Sequence, residues 1–215
     1  MNDVTHRNWG FAGLAAVVLW VAGLALETLH GPSQHAGNAA ILGYYKGHTD
    51  TILLGGWLFM IGCLAFLCLV AALRPGLEQA TGTASPLPSL ALVGAGIAAT
   101  LGMLTAGTDV AGAIDKSEIG PATAATLHHL LDLFFVGAEL AAIVPVAAIG
   151  VIAWRTRVLP RWWSAFSLLV AVVLVIGPIG WAALIFGMPV WTVGTSLFVL
   201  LRRPQLHARA APAAA

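Results

Sequence analysis

The chain has 215 residues, of which 59% are hydrophobic and only 9% are charged, and its formal net charge is +1. Because an ordinary soluble domain carries roughly 25% charged residues, this composition predicts an integral membrane protein that is surrounded by the lipid bilayer. The sequence has neither a basic patch nor a nucleic-acid-binding motif, which argues against a nucleic-acid partner.

Six apolar segments follow one another along the chain, separated by short polar stretches. About 20 residues of α-helix cross a hydrocarbon core of about 30 Å. The predicted spans are residues 9–29, 51–73, 89–110, 126–154, 164–186 and 188–201. They predict an all-α fold with one domain, residues 1–203, which is a polytopic membrane bundle of six transmembrane helices. The tail, residues 204–215, is predicted to be disordered in the cytoplasm.

Small and polar residues recur at spacings of three and four along the first span and so mark one helix face. This face carries Gly13, Ala16, Trp20, Gly23, Glu27 and His30. Small residues allow close helix contact in a membrane, while polar ones are kept away from lipid. In the loop that follows, residues 36–45 are predicted to form a short helix at the membrane surface, with Tyr44 and Tyr45 as anchors.

The second span is predicted to end at Arg74, because Pro75 and Gly76 follow it. The mixture of Pro, Gly, Ser and Thr in residues 77–88 is typical of a loop. The third span repeats the pattern of the first, with small and polar residues on one face. Its members are Gly94, Ala98, Gly102, Thr105 and Asp109.

The fourth span contains the most informative stretch of the chain, Leu127 to Glu139. Since each residue of a helix advances by about 100°, His128, Asp132 and Glu139 fall within about 40° of one another. One face of this span therefore carries an imidazole and two carboxyl groups. Glu139 is expected near the middle of the membrane, where an ionisable group is costly and marks a candidate functional site.

The fifth span contains Gly177-Pro178-Ile179-Gly180, which predicts a break or a bend in the helix. The sixth span, residues 188–201, is short for a full crossing. It is predicted to run steeply or to thin the bilayer locally.

With six spans, the basic residues fall almost entirely on one side of the membrane. That side receives Arg7, Arg74, Arg155, Arg157, Arg161, Arg202, Arg203 and Arg209, and the other side receives only Lys46 and Lys116. By the positive-inside rule, both termini are predicted to be cytoplasmic. The acids and imidazoles of four spans then converge at the outer side.

This convergence predicts an outward-opening polar cavity with Asp132 and Glu139 as its floor. We expect the cavity to bind, or to act on, a small lipophilic molecule, with Glu139 as a neutral catalytic acid and Asp132 and His128 above it. Five further residues are predicted to contact the ligand. They are Glu27, His30, Trp20, Asp109 and Thr105.

Three other functions fit the same residues. Glu27 with His30, and His129 with Asp132, form carboxylate–imidazole pairs that loosely resemble the ligand sets of metal sites in helical bundles, and His30 with His128 or His129 could ligate a haem. The stripe of ionisable groups also fits a proton-coupled carrier. A non-catalytic accessory or structural subunit is the remaining alternative. The residues identify no particular cofactor and no oligomeric state.

Several short motifs resemble those of a group of small six-span integral membrane proteins of high-GC Gram-positive bacteria. They are Tyr44-Tyr45 ahead of Thr51-Ile-Leu-Leu-Gly-Gly-Trp57, Ala72-Leu73-Arg74, Val158-Leu159-Pro160-Arg161-Trp162-Trp163, and Phe186-Gly187-Met188-Pro189-Val190-Trp191. The resemblance implies the six-span topology and a place in the bacterial cytoplasmic (inner) membrane. It implies no activity and no catalytic residue.

Overall fold

A computed structural model of the protein describes residues 3–29, 31–33, 36–82 and 84–201. Within these ranges, all regular structure is helical, as the composition predicts. The helices are α1 (Asp3–Thr28), α2 (Asn38–Gly47), α3 (Thr49–Thr81), α4 (Leu87–Ile114), α5 (Pro121–Thr156), α6 (Arg161–Val175), α7 (Gly177–Ala182) and α8 (Met188–Leu201). A π-helical turn, Ala183–Gly187, joins α7 to α8.

Among the described residues, five stretches of helix are long and apolar enough to cross a membrane, which fits a multi-pass membrane protein. They are Trp9–Thr28, Thr49–Thr81, Leu87–Ile114, Pro121–Thr156 and Ile179–Leu201. The sixth apolar helix, α6, has only 15 residues. At 1.5 Å per residue it is about 22 Å long, which is shorter than a hydrocarbon core of about 30 Å. The structure therefore has five long spans where the sequence predicts six.

The boundary between the last two predicted spans is wrong. The sequence predicts spans at residues 164–186 and 188–201, but α6 ends at Val175 and the chain is helical again from Gly177 through Leu201. The predicted break at Gly177-Pro178 is confirmed. It ends α6 because proline has no N–H and therefore cannot continue the ladder of helix hydrogen bonds. The short segment is thus α6, and the last one is long.

The end of the second predicted span also differs from the prediction. Helix α3 continues past Arg74, through Pro75, to Thr81. An ion pair of 2.6 Å between Arg74 Nε and Glu78 Oε1 links successive turns of this extension, and Leu77 is buried.

The predicted surface helix is present as α2, although its tyrosines turn inward. The predicted disordered tail, residues 204–215, lies outside the described residues.

The long helices pack in a ring. Helix α1 packs on α3 and α8, α3 on α4, α4 on α5, and α5 on α6. A hydrogen bond of 2.9 Å from Trp191 Nε1 to Ser167 Oγ joins α8 to α6 and closes the ring. Glycines allow the closest approaches, as the small-residue faces predict: a Cβ atom at Gly23 would stand 2.6 Å from the carbonyl oxygen of Gly55 on α3.

The bundle has two distinct ends. The α2 end holds α2, the last turns of α1 and α4, and the first turns of α3 and α5. The arginine end holds Arg74, Arg155, Arg157 and Arg161, together with the first turns of α1 and the last turns of α8. These turns are adjacent, because a Cβ atom at Gly10 would stand 2.6 Å from Leu200 Cγ.

Large apolar side chains cover the outside of the bundle. Val18, Leu54, Val93, Val136 and Val172 belong to five different helices, and each of them is at least 50% exposed. A monomeric soluble protein rarely exposes such continuous apolar surface, whereas helices that face lipid do so throughout. The apolar composition and the apolar outer surface therefore both indicate a membrane environment.

Candidate functional site

A cavity of about 470 Å³ lies between α1, α3, α4 and α5 in the half of the bundle nearer the α2 end. This volume is in the range of pockets that hold small molecules, about 300 to 1,000 Å³. Its polar lining residues are Glu27, Thr28, Tyr44, Thr105, Asp109, His128 and Asp132. The larger apolar and aromatic ones are Trp20, Phe59, Phe66, Leu131, Phe135, Leu184, Ile185 and Met188.

The cavity exists because α6 and α8 do not extend to the α2 end. The backbone at Gly180, just after the break between α6 and α7, lies against Glu139, which is halfway along α5. Helix α8 meets α1 at Gly13, far from the α2 end of α1. The π-helical turn and the first residue of α8 contribute Leu184, Ile185 and Met188 to the cavity wall. Beyond them, towards the α2 end, the space between α1 and α5 stays open.

Helix α2 covers the α2 end of this space. Ile41, Tyr44 and Tyr45 are buried by contact with α3, α4 and α5. The Tyr45 ring lies directly on Gly112 of α4, where a Cβ atom would stand 2.7 Å from the ring carbon Cζ. This close approach requires glycine at position 112. It also carries the Tyr45 hydroxyl into the polar part of the site.

Asp109 is the centre of the polar group. It is only 4% exposed, and its Oδ1 accepts a hydrogen bond of 2.8 Å from Tyr45 Oη. Burial raises the pKa of the Tyr45 phenol, and the negative charge of Asp109 and the hydrogen bond to it raise that pKa further. Tyr45 is therefore a hydrogen-bond donor at all ordinary pH values. A buried acid with such a donor has at least one of its oxygens satisfied.

His128 lies beside Asp109, with Nδ1 at 3.7 Å from Asp109 Oδ1. This distance is too long for a hydrogen bond. It is short enough for a strong electrostatic interaction when the imidazole is protonated. The histidine thus contributes a ring nitrogen that is free for another partner.

Glu27 lies on the opposite wall, at the end of α1, against α3. Its Oε1 is 3.5 Å from the point where a Cβ atom of Gly56 would stand, and the carbonyl oxygen of Ala106 on α4 is 3.6 Å from the same point. Tyr44 Oη donates a hydrogen bond of 3.3 Å to the backbone oxygen of Glu27. Burial raises the pKa of the Tyr44 phenol, and the charges of Asp109 and then Glu27 add to this effect. Both acids are thus close to Tyr44.

Three polar atoms at the cavity wall are buried and have no hydrogen-bond partner. Among the described residues six such atoms occur, and Trp20 Nε1, Glu27 Oε1 and His128 Nδ1 belong to residues that line this cavity. An unsatisfied buried polar atom costs about 1 to 3 kcal/mol, so each one needs an explanation. Water or a ligand inside the cavity would supply the missing partners.

Most of the residues predicted to contact a ligand line this one cavity. Glu27, Trp20, Thr105 and Asp109 do so, together with His128. The Thr105 hydroxyl already donates a hydrogen bond of 2.9 Å to the carbonyl oxygen of Leu101, so its donor is used. His30 lies outside the described residues.

Two of the predicted catalytic residues are placed differently from the prediction. Asp132 lines the cavity, but it is exposed and does not form the floor. Glu139 is 4% exposed and is not among the lining residues, although its neighbours Ala138 and Ala142 are. The prediction that Glu139 forms the floor of the cavity is therefore wrong. Its carboxyl group meets the backbone of Gly180 in α7 instead, because the break after α6 brings α7 against α5.

The role of the α2 tyrosines in the site was not predicted from the sequence. Tyr44 and Tyr45 were predicted to be anchors at the membrane surface, whereas they are 7% and 0% exposed. The other large residues of α2 are only Ile41, Leu42 and Lys46, so the paired tyrosines stand out in a segment of small residues. That contrast could have indicated a packing role, but it could not have identified Asp109 as the acceptor.

A metal centre gains no support from the arrangement. Within the described parts of the chain, no group of three or more His, Cys, Asp or Glu residues is placed to hold a metal ion. His129 is exposed and lies outside the cavity lining. The alternative metal site was predicted on Glu27, His30, His128, His129 and Asp132. His30 lies outside the described residues, and the other four form no such group.

Comparison of this chain with protein-family models, with curated proteins and with solved structures gives no match.

Proposed function

We propose that this protein binds a small amphiphilic molecule from the membrane in the cavity at the α2 end. The polar group of the ligand lies among Glu27, Asp109 and His128. Its apolar part lies along the aromatic and aliphatic walls. One observation carries the proposal: a cavity of about 470 Å³ whose polar groups are gathered towards one end and include buried atoms without hydrogen-bond partners.

The shape and chemistry of the walls support an amphiphile over a fully polar ligand. Towards the α2 end, α1, α4 and α5 contribute Glu27, Asp109 and His128, each from its own helix. Further along the same helices the lining changes to apolar residues such as Trp20, Ala98 and Phe135. Burying apolar area in such walls contributes roughly 25 cal/mol per Å². A few convergent polar groups in a mostly apolar pocket are typical of small-molecule sites.

The distribution of arginines supports one orientation of the site. The arginine end holds Arg74, Arg155, Arg157 and Arg161, and by the positive-inside rule this end belongs in the cytoplasm. The α2 end and the mouth of the cavity then face the outside of the cell. With α1 beginning and α8 ending at the arginine end, both termini are cytoplasmic. The motif resemblance supports a bacterial cytoplasmic membrane as the location of the protein.

The test fills the cavity and measures binding. In phosphatidylcholine nanodiscs, the protein is titrated with three probes of one chain length, dodecylamine, dodecanol and dodecanoate, and the change in melting temperature is recorded. At least one probe is expected to stabilise the protein, since a ligand that binds only the folded state does so. Ala138→Trp places a large ring in the cavity and is expected to abolish this effect.

Leu140→Trp is the matched control for Ala138→Trp. Leu140 is two residues further along α5 and is 52% exposed on the outside of the bundle. The control adds the same ring to the same helix and is expected to leave the effect of the probe intact. If no probe stabilises the wild-type protein, or if both variants respond as the wild type does, the proposed function is wrong.

A further inference from the structure

We infer that the ligand of this cavity is a cationic amphiphile, an alkylamine or alkylammonium compound, and that the Glu27 carboxylate holds its cationic group. This inference rests on the proposed binding function and names the chemical class of the ligand. Three features of the site support it: the acidic groups of the lining, the hydrogen-bond state of each acid, and the rings beside them.

The described lining of the cavity contains three carboxyl groups, Glu27, Asp109 and Asp132, and no lysine or arginine. His128 is the only basic side chain in it. Even when this imidazole is protonated, the acids outnumber it. An anionic head group would therefore meet like charges at short distance wherever these acids are ionised, which is unfavourable.

Asp109 and Glu27 have different hydrogen-bond states. Asp109 Oδ1 accepts a hydrogen bond from Tyr45 and lies beside His128, so it has protein partners. Glu27 Oε1 is buried and has no hydrogen-bond partner within the described part of the chain. The open acceptor of the site is thus Glu27. A buried carboxylate requires a donor, and a donor that also brings a positive charge satisfies it best.

No described residue around Glu27 donates a hydrogen bond to its Oε1 atom, so the ligand would supply that donor. On the α3 side, Gly56 has no side chain and Val110 of α4 packs over it. Tyr44, the nearest phenol, donates its proton to the backbone oxygen of Glu27 and not to the carboxylate. No basic side chain of the described lining except His128 is available, and His128 lies beside Asp109. An ammonium group carries up to three N–H donors and can donate hydrogen bonds to acceptors on more than one wall of the site.

An aromatic ring adds a second preference for a cation. Tyr44 lines the cavity and its hydroxyl reaches the backbone of Glu27, whereas Trp20 lines the cavity about two turns from Glu27 along α1. A cation held over the face of such a ring is stabilised by about 0.5 to 2 kcal/mol, depending on how well it is desolvated. A neutral alcohol gains nothing comparable from the rings. The same walls therefore favour an ammonium head group over an uncharged one.

The experiment compares the three dodecyl probes at neutral pH in zwitterionic phosphatidylcholine nanodiscs. For the wild-type protein, dodecylamine is expected to bind about tenfold more tightly than dodecanol, and dodecanoate most weakly. Glu27→Gln keeps the shape of the side chain and removes its charge. We expect it to reduce the affinity for dodecylamine about tenfold while the affinity for dodecanol changes less than about twofold.

Glu118→Gln is the control for the general negative charge of the α2 end. Glu118 is exposed and lies outside the cavity lining, so its loss is expected to leave the preference for the amine unchanged. If Glu27→Gln does not fold, Asp132→Asn at the exposed mouth is used, and a loss of about two- to threefold for the amine alone is expected.

The results separate the inference from the proposed function. If the three probes bind equally well and Ala138→Trp blocks all of them, the cavity is a binding site without preference for a cation, and the inference is wrong. The inference also fails if Glu118→Gln weakens amine binding as much as Glu27→Gln does. If none of the probes binds the wild-type protein, the proposed function itself fails.

Discussion

The two ends of the bundle consist of similar helices, but side chains fill one end and the other end encloses a cavity. Towards the arginine end the five long helical stretches and the shorter α6 meet, and side chains fill the space between them. Trp163 of α6 lies on Gly194 of α8, and a Cβ atom at Gly94 of α4 would stand 2.6 Å from Val144 Cβ of α5. Towards the α2 end only four of these helices remain, with α2 across them. There the same kind of small-residue face lines a cavity.

The two buried acids of the bundle show what this difference means. Asp109 and Glu139 are each 4% exposed. Asp109 faces the cavity and accepts a hydrogen bond from the Tyr45 hydroxyl, whereas Glu139 is covered by Gly180 of α7. Equal burial therefore does not imply equal access to a ligand. Four predictions test this contrast, from the largest expected effect to the smallest.

Replacement of Gly94 by alanine tests the packed part of the bundle. The added methyl group would meet Val144 and, at 2.8 Å, the Cδ atom of Pro145, and neither neighbour can rotate away. Overpacking of this kind costs about 1 to 3 kcal/mol, and we expect about 3 because two rigid residues are involved. The free energy of unfolding in mixed micelles, followed by circular dichroism, measures the loss.

Gly96→Ala is the control, two residues away on α4. A Cβ atom there would have no described atom within 4 Å. Its unfolding free energy is expected to stay within about 0.5 kcal/mol of the wild-type value. Equal losses for the two variants would show that glycine itself, and not the contact with α5, matters at this place.

Gly180→Ala tests the contact that covers Glu139. The new Cβ atom would collide with the Glu139 carboxyl group and stand 3.0 Å from the carbonyl oxygen of Leu174. We expect a loss of about 2 kcal/mol in the free energy of unfolding. Because the colliding group is the end of a flexible side chain, Glu139→Ala in the same protein is expected to restore at least half of this loss. Strictly additive effects in this double-mutant cycle would contradict the placement of Glu139.

Tyr45→Phe removes the hydrogen bond to Asp109 and is expected to cost about 1 to 2 kcal/mol, because an acceptor is left buried. The bond also predicts a pH dependence. The folded-state pKa of Tyr45 is raised above the unfolded value of about 10. Above that pH the unfolded chain loses the phenolic proton while the folded chain keeps it. The stability contribution is therefore present below about pH 10 and decreases as the pH rises further.

The chain has only two tyrosines, so an absorbance titration of tyrosinate reports on this pair alone. The folded protein is expected to show no ionisation step near pH 10, and the denatured protein to show one. Tyr45→Phe is expected to flatten the alkaline decrease in stability relative to the wild type. An ordinary tyrosine titration in the folded protein would be incompatible with the buried position of α2.

Ala98→Leu is expected to have the smallest effect. Ala98 lies one turn from Gly94 on α4, but it lines the cavity. Three added carbon atoms find space there, so the free energy of unfolding is expected to change by less than about 1 kcal/mol. The two substitutions on one helix thus compare the filled and the open parts of the bundle. A loss as large as that of Gly94→Ala would mean that the cavity is closed at this point.

Much of the fold follows from the sequence because the relevant signals are local. The apolar segments predict the long helices, and Gly177-Pro178 predicts the break after α6, since proline cannot continue the hydrogen-bond ladder. The misplaced boundary at residues 186–188 has the opposite cause. Gly187 and Pro189 flank Met188 and look like a loop, but the chain accommodates them in a π-helical turn and the first turn of α8.

The candidate site is predictable in its residue types and not in its geometry. The spacing along α5 places His128, Asp132 and Glu139 on one face, and that much is a property of any helix. Which of them lines the cavity depends on where α7 places Gly180, a residue 41 positions away from Glu139 along the chain. The pairing of Tyr45 with Asp109 joins residues 64 positions apart. No local pattern contains either contact.

The sequence by itself thus determined that the chain is a bundle of apolar helices, that a helix breaks at Gly177-Pro178, and which polar residues collect at one end. Helix periodicity and hydropathy suffice for this, because both act over a few residues. The tertiary structure alone decided that Asp109 and Glu27 border the cavity while Glu139 is covered. The reason is that the cavity is the space left where α6 and α8 end, and only the packing of distant segments fixes where that space lies.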